Sequence, residues 1–208
     1  MIPGSATLDN TVLLVVDVIN ACAHVEYEKP EWNVHYRKIR EMVPALAAFI
    51  TAFQQLGGRV ILTTTVPWQE VYLADNINEL YRNDPDARYW SEDTSGEAEA
   101  FFGIPTEGAS IFAKNSYDAF ANEDLARALQ EMGARYVIAA GIFGDGCVLA
   151  TICGGFSRGY HFIIARDLIE TTDDEERQAL QRHLKDRLWP LMYGATVDSH
   201  QILAAFSP

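Results

Sequence analysis

The sequence has few basic residues. Its 16 Lys and Arg side chains stand against 29 Asp and Glu, which gives a formal net charge of −13 at pH 7. Such a charge repels nucleic-acid phosphates and anionic lipid headgroups, so we expect neither a nucleic-acid nor a membrane partner. A long apolar run is also missing, because the stretch from Thr11 to Asn20 contains Asp17 and is far too short to span a bilayer. We therefore expect no signal peptide and no transmembrane helix.

Cysteine is scarce as well. The three cysteines, Cys22, Cys147 and Cys153, cannot all pair within one chain and show no C-x-x-C spacing. A disulfide framework and a zinc ribbon are both disfavoured, and a reducing cytoplasm is the predicted location. The five histidines lack ligand spacings such as H-x-H or H-E-x-x-H, so we expect no metal and no organic cofactor.

Short apolar runs alternate with helical patterns along the 208 residues, and we expect one domain covering 1–208. Strands are predicted at Val12–Val18, Arg59–Thr65, Ser110–Lys114, Tyr136–Ala140, His161–Ala165 and Ala195–Val197. Helices are predicted at Tyr36–Leu56, Glu123–Met132, Gly146–Ser157 and Asp173–Leu188. This alternation predicts a three-layer α/β fold, with a six-stranded, mostly parallel sheet and helices on both faces. Residues 66–108 are interpreted as an excursion over the sheet edge that contains one helix, Gln69–Tyr81.

Three reactive side chains stand at predicted strand ends. Asp17 ends the first strand, Lys114 ends the third, and Cys147 follows the fourth at the start of a helix. In an open α/β sheet, ligands bind beyond the carboxyl ends of the strands, where these side chains would meet. An unpaired charge in such an apolar setting is costly, so we expect the three to be partners. A turn-capping role for Asp17 and a surface position for Lys114 are the structural alternatives.

The loop Gly141–Cys147 reads GIFGDGC, and its three glycines allow tight turning and close approach to a ligand. A helix N-terminus beside a cation lowers a cysteine pKa from about 8.5 to roughly 3.5–7.5. With Lys114 as the cation, Cys147 is the predicted nucleophile, held as a thiolate. Asp17 would accept and return its proton, and N–H groups of the loop would hold an oxyanion.

The ordered motifs VVDVIN (15–20), FAKNSYDAF (112–120) and GIFGDGCVLAT (141–151) resemble the isochorismatase-like hydrolases. That family includes nicotinamidases, N-carbamoylsarcosine amidases, biuret hydrolases and ureidoacrylate amidohydrolases. The resemblance extends from about Thr11 to Leu203. It implies that Asp17, Lys114 and Cys147 are catalytic. It also implies a cis peptide between Ile142 and Phe143, with the N–H groups of Phe143 and Cys147 directed at the oxyanion.

Two departures from the family pattern reduce the number of reactions that are expected. The segment TTTVPWQEVYLADN (63–76) contains no histidine, which disfavours the metal site of nicotinamidases. True isochorismatases lack the cysteine that is present here, so vinyl-ether hydrolysis is also disfavoured. The expected reaction is therefore cleavage of a carbon–nitrogen bond in a small amide, ureido or carbamoyl compound through a thioester. The predicted substrate-binding residues are Trp68, Gln69, Tyr72, Tyr117 and Phe143. Because members of the family are commonly oligomeric, a homodimer or homotetramer is expected.

Two alternatives belong to other functional classes. A protein of this fold could act as a non-catalytic binding module, which an ordinary reactivity of Cys147 would indicate. A dinucleotide-binding protein is suggested by Gly141, Gly144 and Gly146 in a strand-to-helix turn. The pattern is nevertheless G-x-x-G-x-G, and Asp145 would repel a pyrophosphate at the helix N-terminus. We therefore expect no binding of NAD or NADP in a calorimetric titration.

Overall fold

The computed structural model describes residues 1–83 and 95–207. Six strands form one sheet: β1 (Thr11–Val16), β2 (Arg59–Thr65), β3 (Ser110–Lys114), β4 (Tyr136–Ile142), β5 (His161–Glu170) and β6 (Gly194–Val197). Their order is β3-β2-β1-β4-β5-β6, and every neighbouring pair is parallel. The predicted six-stranded sheet is confirmed.

Helices cover both faces of this sheet, as predicted. They are α1 (Arg37–Gln55), α2 (Asp75–Asn83), α3 (Glu123–Glu131), α4 (Cys147–Ser157), α5 (Glu175–His183), α6 (Trp189–Met192) and α7 (Ser199–Phe206). Alternate residues of β1 enter two separate cores. Leu13 and Val15 pack in the core that contains α1 and α7, whereas Leu14 and Val16 pack in the core that contains α3 and α4. All six residues of β1 are buried, which explains its continuous apolar run.

Two helix predictions need correction, and one helix was not predicted. The predicted helix Gln69–Tyr81 begins only at Asp75, because residues 69–73 form turns in which the Tyr72 N–H donates to the Gln69 carbonyl. The predicted helix Asp173–Leu188 is α-helical only to His183 and continues with wider turns over Leu184–Leu188 into α6. Its acidic start does act as expected, since Asp174 caps α5. Helix α7 was not predicted.

The excursion between β2 and β3 returns to the middle of the sheet. Phe101 forms an antiparallel bridge with Ile19, and the N–H groups of Asn20 and Ala21 donate to carbonyls at 100 and 98. This part therefore covers the carboxyl end of β1, a central strand, rather than a lateral edge strand. The remainder of the predicted excursion, 84–94, lies outside the described residues. In the described ranges, no helix combines the length and the apolar character needed to cross a bilayer.

Candidate active site

Asp17 lies directly beyond β1 and is only 2% exposed. Its backbone is left-handed, with φ 52°, a conformation that aspartate adopts more readily than most residues. The Asp17 N–H donates to the Thr63 carbonyl at 3.2 Å, and the Thr63 hydroxyl donates to Asp17 Oδ1 at 2.8 Å. Neighbouring strand β2 thus fixes both the turn and the carboxylate.

Lys114 is the last residue of β3 and is also 2% exposed. Strand β2 separates β3 from β1, so only a long side chain can reach Asp17 across it. The Lys114 ammonium lies 2.7 Å from Asp17 Oδ2 and 3.3 Å from Cys147 Sγ, and it donates to the Ser116 carbonyl at 2.8 Å. The structure therefore brings together the three residues that were predicted to be partners.

Cys147 is positioned by the turn between β4 and α4. Gly141 has φ +113°, and a Cβ at this position would lie 2.2 Å from the Val16 carbonyl oxygen. Only glycine lets β4 approach β1 this closely at the site. Cys147 then begins α4 and remains partly exposed.

The Cys147 thiol and the Lys114 ammonium each shift the pKa of the other. Burial raises the pKa of the Cys147 thiol to about 12; Lys114 opposes this shift and the Asp17 carboxylate adds to it. Burial alone would lower the pKa of the Lys114 ammonium, but the charges of Asp17 and Cys147 reverse the direction and raise it. The direction of the Cys147 shift favours the thiol, contrary to the lowered pKa predicted from the helix start.

The peptide bond between Ile142 and Phe143 is cis, as the family resemblance implied. The Phe143 carbonyl accepts hydrogen bonds from the N–H groups of Gly146 and Val148. The N–H groups of Phe143 and Cys147, in contrast, donate to no backbone carbonyl of the described residues. Both residues line the same cavity, so these two donors are available to a ligand.

This cavity has a volume of about 310 Å³. The described residues that line it are Asp17, Cys22, Thr65, Trp68, Tyr81, Tyr117, Ile142, Phe143, Gly146, Cys147 and Arg177. The rings of Trp68 and Tyr117 stack with centroids 6.3 Å apart, and Tyr81 meets Trp68 edge-on at 6.2 Å. One wall is thus aromatic, which suits the apolar or planar part of a small molecule.

Of the residues predicted to bind substrate, Trp68, Tyr117 and Phe143 lie on the cavity wall. Gln69 and Tyr72 do not line it. Tyr72 is 44% exposed and faces a separate depression near Asn115 and Asn122. The reason is the turn at 69–73, which replaces the predicted helix and directs these side chains elsewhere.

Arg177 also lines the cavity, although it was not among the predicted site residues. Its Nε and Nη2 donate to the two carboxylate oxygens of Asp145 at 2.7 and 2.8 Å, and the guanidinium lies 5.0 Å from the Phe143 ring centroid. Burial would raise the pKa of Asp145, but hydrogen bonds from Arg177 and Thr171 lower it overall. The available signal was Asp145 itself, since a carboxylate in a tight glycine loop requires a cationic or hydrogen-bonding partner.

The described residues contain no group of three or more His, Cys, Asp or Glu side chains arranged to hold a metal ion. Among the described lining residues, groups that can donate to a ligand include the Thr65 and Tyr117 hydroxyls, the Cys147 thiol and the Arg177 guanidinium.

The model of the isochorismatase domain family matches residues 11–199. A cysteine hydrolase from Pseudomonas syringae pv. phaseolicola 1448A has a similar structure, with a TM-score of 0.81, 17% identity and coverage of 96% of this chain and 93% of that one. N-carbamoylsarcosine amidase from Thermoplasma acidophilum gives a TM-score of 0.64 with 21% identity, covering 91% and 95%. Nicotinamidase from Bacillus subtilis gives 0.65 with 20% identity, covering 91% and 99%.

A comparison with curated protein sequences gives no match. The structural likenesses, at these low identities, establish the fold, while the domain model covers most of the sequence. On this basis the chain belongs to the isochorismatase family and has its hydrolase fold.

Proposed function

We propose that the protein is a cysteine hydrolase that cleaves a carbon–nitrogen bond of a small amide, ureido or carbamoyl compound through a thioester on Cys147. The observation that carries this proposal is the position of the Lys114 ammonium, 2.7 Å from Asp17 and 3.3 Å from the Cys147 sulfur at one cavity. A nucleophile, a base and a cation in mutual reach are what acyl transfer requires.

The first step would transfer the thiol proton to Asp17 as the sulfur attacks the substrate carbonyl carbon. The raised pKa of Cys147 means that this proton must have an acceptor during the attack. Lys114 would stabilise the developing thiolate, and it stays charged because Asp17 and Cys147 raise its pKa. The attack forms a carbon–sulfur bond and moves an electron pair onto the carbonyl oxygen.

The second step would break the carbon–nitrogen bond. The Phe143 and Cys147 N–H groups, which donate to no described backbone carbonyl, would hold the oxyanion. Asp17 would return the proton to the leaving nitrogen, so that ammonia or an amine departs and a thioester remains.

The third step would hydrolyse the thioester. Water gives a proton to the Asp17 carboxylate and its oxygen to the acyl carbon, the carbon–sulfur bond breaks, and Asp17 returns the proton to sulfur. The products are a carboxylic or carbamic acid and the original thiol. Overall one water is consumed for each bond cleaved, and no oxidant or reductant is involved.

Three similar structures support this class of reaction. One is named a cysteine hydrolase, one an N-carbamoylsarcosine amidase and one a nicotinamidase. The latter two names describe cleavage of a carbon–nitrogen bond.

The test is ammonia or amine release from a panel of small amides, ureas and carbamoyl compounds. Cys147→Ser should abolish turnover, by more than about a thousandfold, because the hydroxyl is a far weaker nucleophile in this setting. Cys153→Ser is the matched control, since Cys153 lies on the same helix but does not line the cavity. Equal turnover in wild type and Cys147→Ser would refute the proposal, and no turnover of any compound would favour a binding module.

A further inference from the structure

Arg177 is held at the cavity by two independent constraints. Its backbone N–H is capped by the Asp174 side chain at the start of α5, and its Nε and Nη2 bind Asp145. The guanidinium also lies on the face of the Phe143 ring, 5.0 Å from its centroid. A cation fixed in this way loses little freedom when a ligand binds to it.

Part of the guanidinium remains available to a ligand. Asp145 takes two of the five N–H donors that a guanidinium carries. Nη1 makes no hydrogen bond with a described residue, and the Arg177 side chain retains 36% exposure. The edge formed by Nη1 and the second Nη2 proton matches the two oxygens of a carboxylate.

The surrounding charges do not oppose an anion at this edge. Asp145 is only 6% exposed and is absent from the cavity lining, because Arg177 and the Thr171 hydroxyl occupy both of its oxygens. Asp17 and Arg177 are the charged residues among those described that line the cavity, and Lys114 compensates Asp17. An anion inside the cavity therefore meets one partly free cation.

We infer that Arg177 binds a carboxylate of the substrate, so that the preferred substrates are small amides, ureides or carbamoyl compounds that also carry a carboxylate. The inference rests on the proposed function for its chemistry. The ring stack of Trp68 and Tyr117 contacts the remaining apolar or planar part. Arg177 is then the residue that selects acids over neutral amides of the same shape.

The test uses alkylation of Cys147 and requires no turnover. Bromo-carboxylic acids of two, three and four carbons are compared with their neutral amides, and labelling of the Cys147 peptide is measured by mass spectrometry. The acid-to-amide rate ratio in wild type should exceed that in Arg177→Gln by at least about tenfold for one chain length, because a charge-assisted pair is lost.

Arg182→Gln is the matched control, because it removes one positive charge from the same helix at a position that does not line the cavity. Its ratios should equal those of wild type. Arg177→Lys should keep part of the preference, since it retains the charge and loses the planar edge. A purely structural role of Arg177 would change the acid and amide rates by the same factor.

Unchanged ratios at every chain length in Arg177→Gln would overturn the inference, as would an equal fall in Arg182→Gln. Ratios that depend on Arg177 in a protein without turnover would support the inference and count against the proposed hydrolase. Turnover of neutral amides together with unchanged acid-to-amide ratios in Arg177→Gln would support the proposed hydrolase and overturn the inference.

Discussion

Two ion pairs lie at the cavity, and they differ in how much of their charged side chains stays exposed. In the pair of Lys114 and Asp17, the side chains are 1% and 3% exposed, the two charges bind each other, and the ammonium also donates to the thiol sulfur. In the pair of Arg177 and Asp145, the Asp145 side chain is 6% exposed but the Arg177 side chain is 36% exposed. The first, buried pair suits the movement of a proton at the nucleophile, and the second suits recognition of a ligand.

Breaking the buried pair should have the largest effect. Lys114→Met leaves the Asp17 carboxylate buried without its cation, which we expect to lower the free energy of unfolding by about 3–5 kcal/mol. Urea denaturation measures this as a shift of the midpoint at constant slope. Lys38→Met, which lies outside the cavity, should stay within about 0.5 kcal/mol of wild type. A loss below about 1 kcal/mol in Lys114→Met would contradict this view of the pair.

Removing the negative charge of the same pair separates proton transfer from thiol reactivity. Asp17→Asn should lower turnover by at least about a hundredfold, because the thiol proton loses its acceptor. Its alkylation by iodoacetamide at pH 8.5 should rise several-fold, since the Asp17 charge raises the pKa of Cys147 and its removal favours the thiolate. Labelling is read on the Cys147 peptide against the Cys153 peptide. Labelling that stays constant or slows would show that Asp17 does not act on the thiol.

Disrupting the more exposed pair, Arg177 and Asp145, should lower the free energy of unfolding by a smaller amount. Asp145→Asn removes the charge that binds Arg177, and we expect a loss of about 1–2 kcal/mol in the free energy of unfolding. The control is Asp124→Asn, which breaks a surface pair with Arg127 and should cost less than about 0.5 kcal/mol. If the two variants lose the same amount, burial of Asp145 has no energetic consequence.

The difference in unfolding free energy between wild type and Asp145→Asn should depend on pH in a defined direction. The pKa of Asp145 is lowered in the folded protein, so its stabilisation is fully present above its unfolded pKa of about 3.9. It is lost as pH falls through the lower folded pKa. The gap in unfolding free energy between wild type and Asp145→Asn should therefore be constant from about pH 5 to 7 and shrink below about pH 4. A difference in unfolding free energy that grows on acidification would contradict a lowered pKa of Asp145 in the folded protein.

The sequence predicted the first of these pairs and not the second. Asp17 and Lys114 end short apolar strands, and parallel strands bring their carboxyl ends to one edge of the sheet. Asp145 and Arg177 instead lie in a loop and on a helix 32 positions apart. Their meeting depends on the orientation of α5 against the loop, which no local pattern specifies.

The same contrast between local sequence patterns and contacts of distant residues explains where the other predictions agree with the structure and where they do not. The bounds of β2 and β3 agree with prediction because their runs are bounded by clear turn residues. The turn at 69–73 was missed because the Ala74 N–H donates to the carbonyl of Asn115, which is distant in sequence, instead of continuing a helix from Gln69. The predicted lowering of the Cys147 pKa was wrong because burial, the largest cause of the shift, raises it, and burial depends on tertiary packing that no local pattern specifies.

The position of Lys114 links the chemistry to local unfolding. Lys114 ends β3, which is one of the two edge strands of the sheet and has two of its five residues exposed. Outer strands detach at lower free energy than central ones. Detachment of β3 alone would withdraw the ammonium while Asp17 and Cys147 stayed in place on central elements. On heating, inactivation should therefore precede the loss of bulk secondary structure, and amide exchange in β3 should report the same opening.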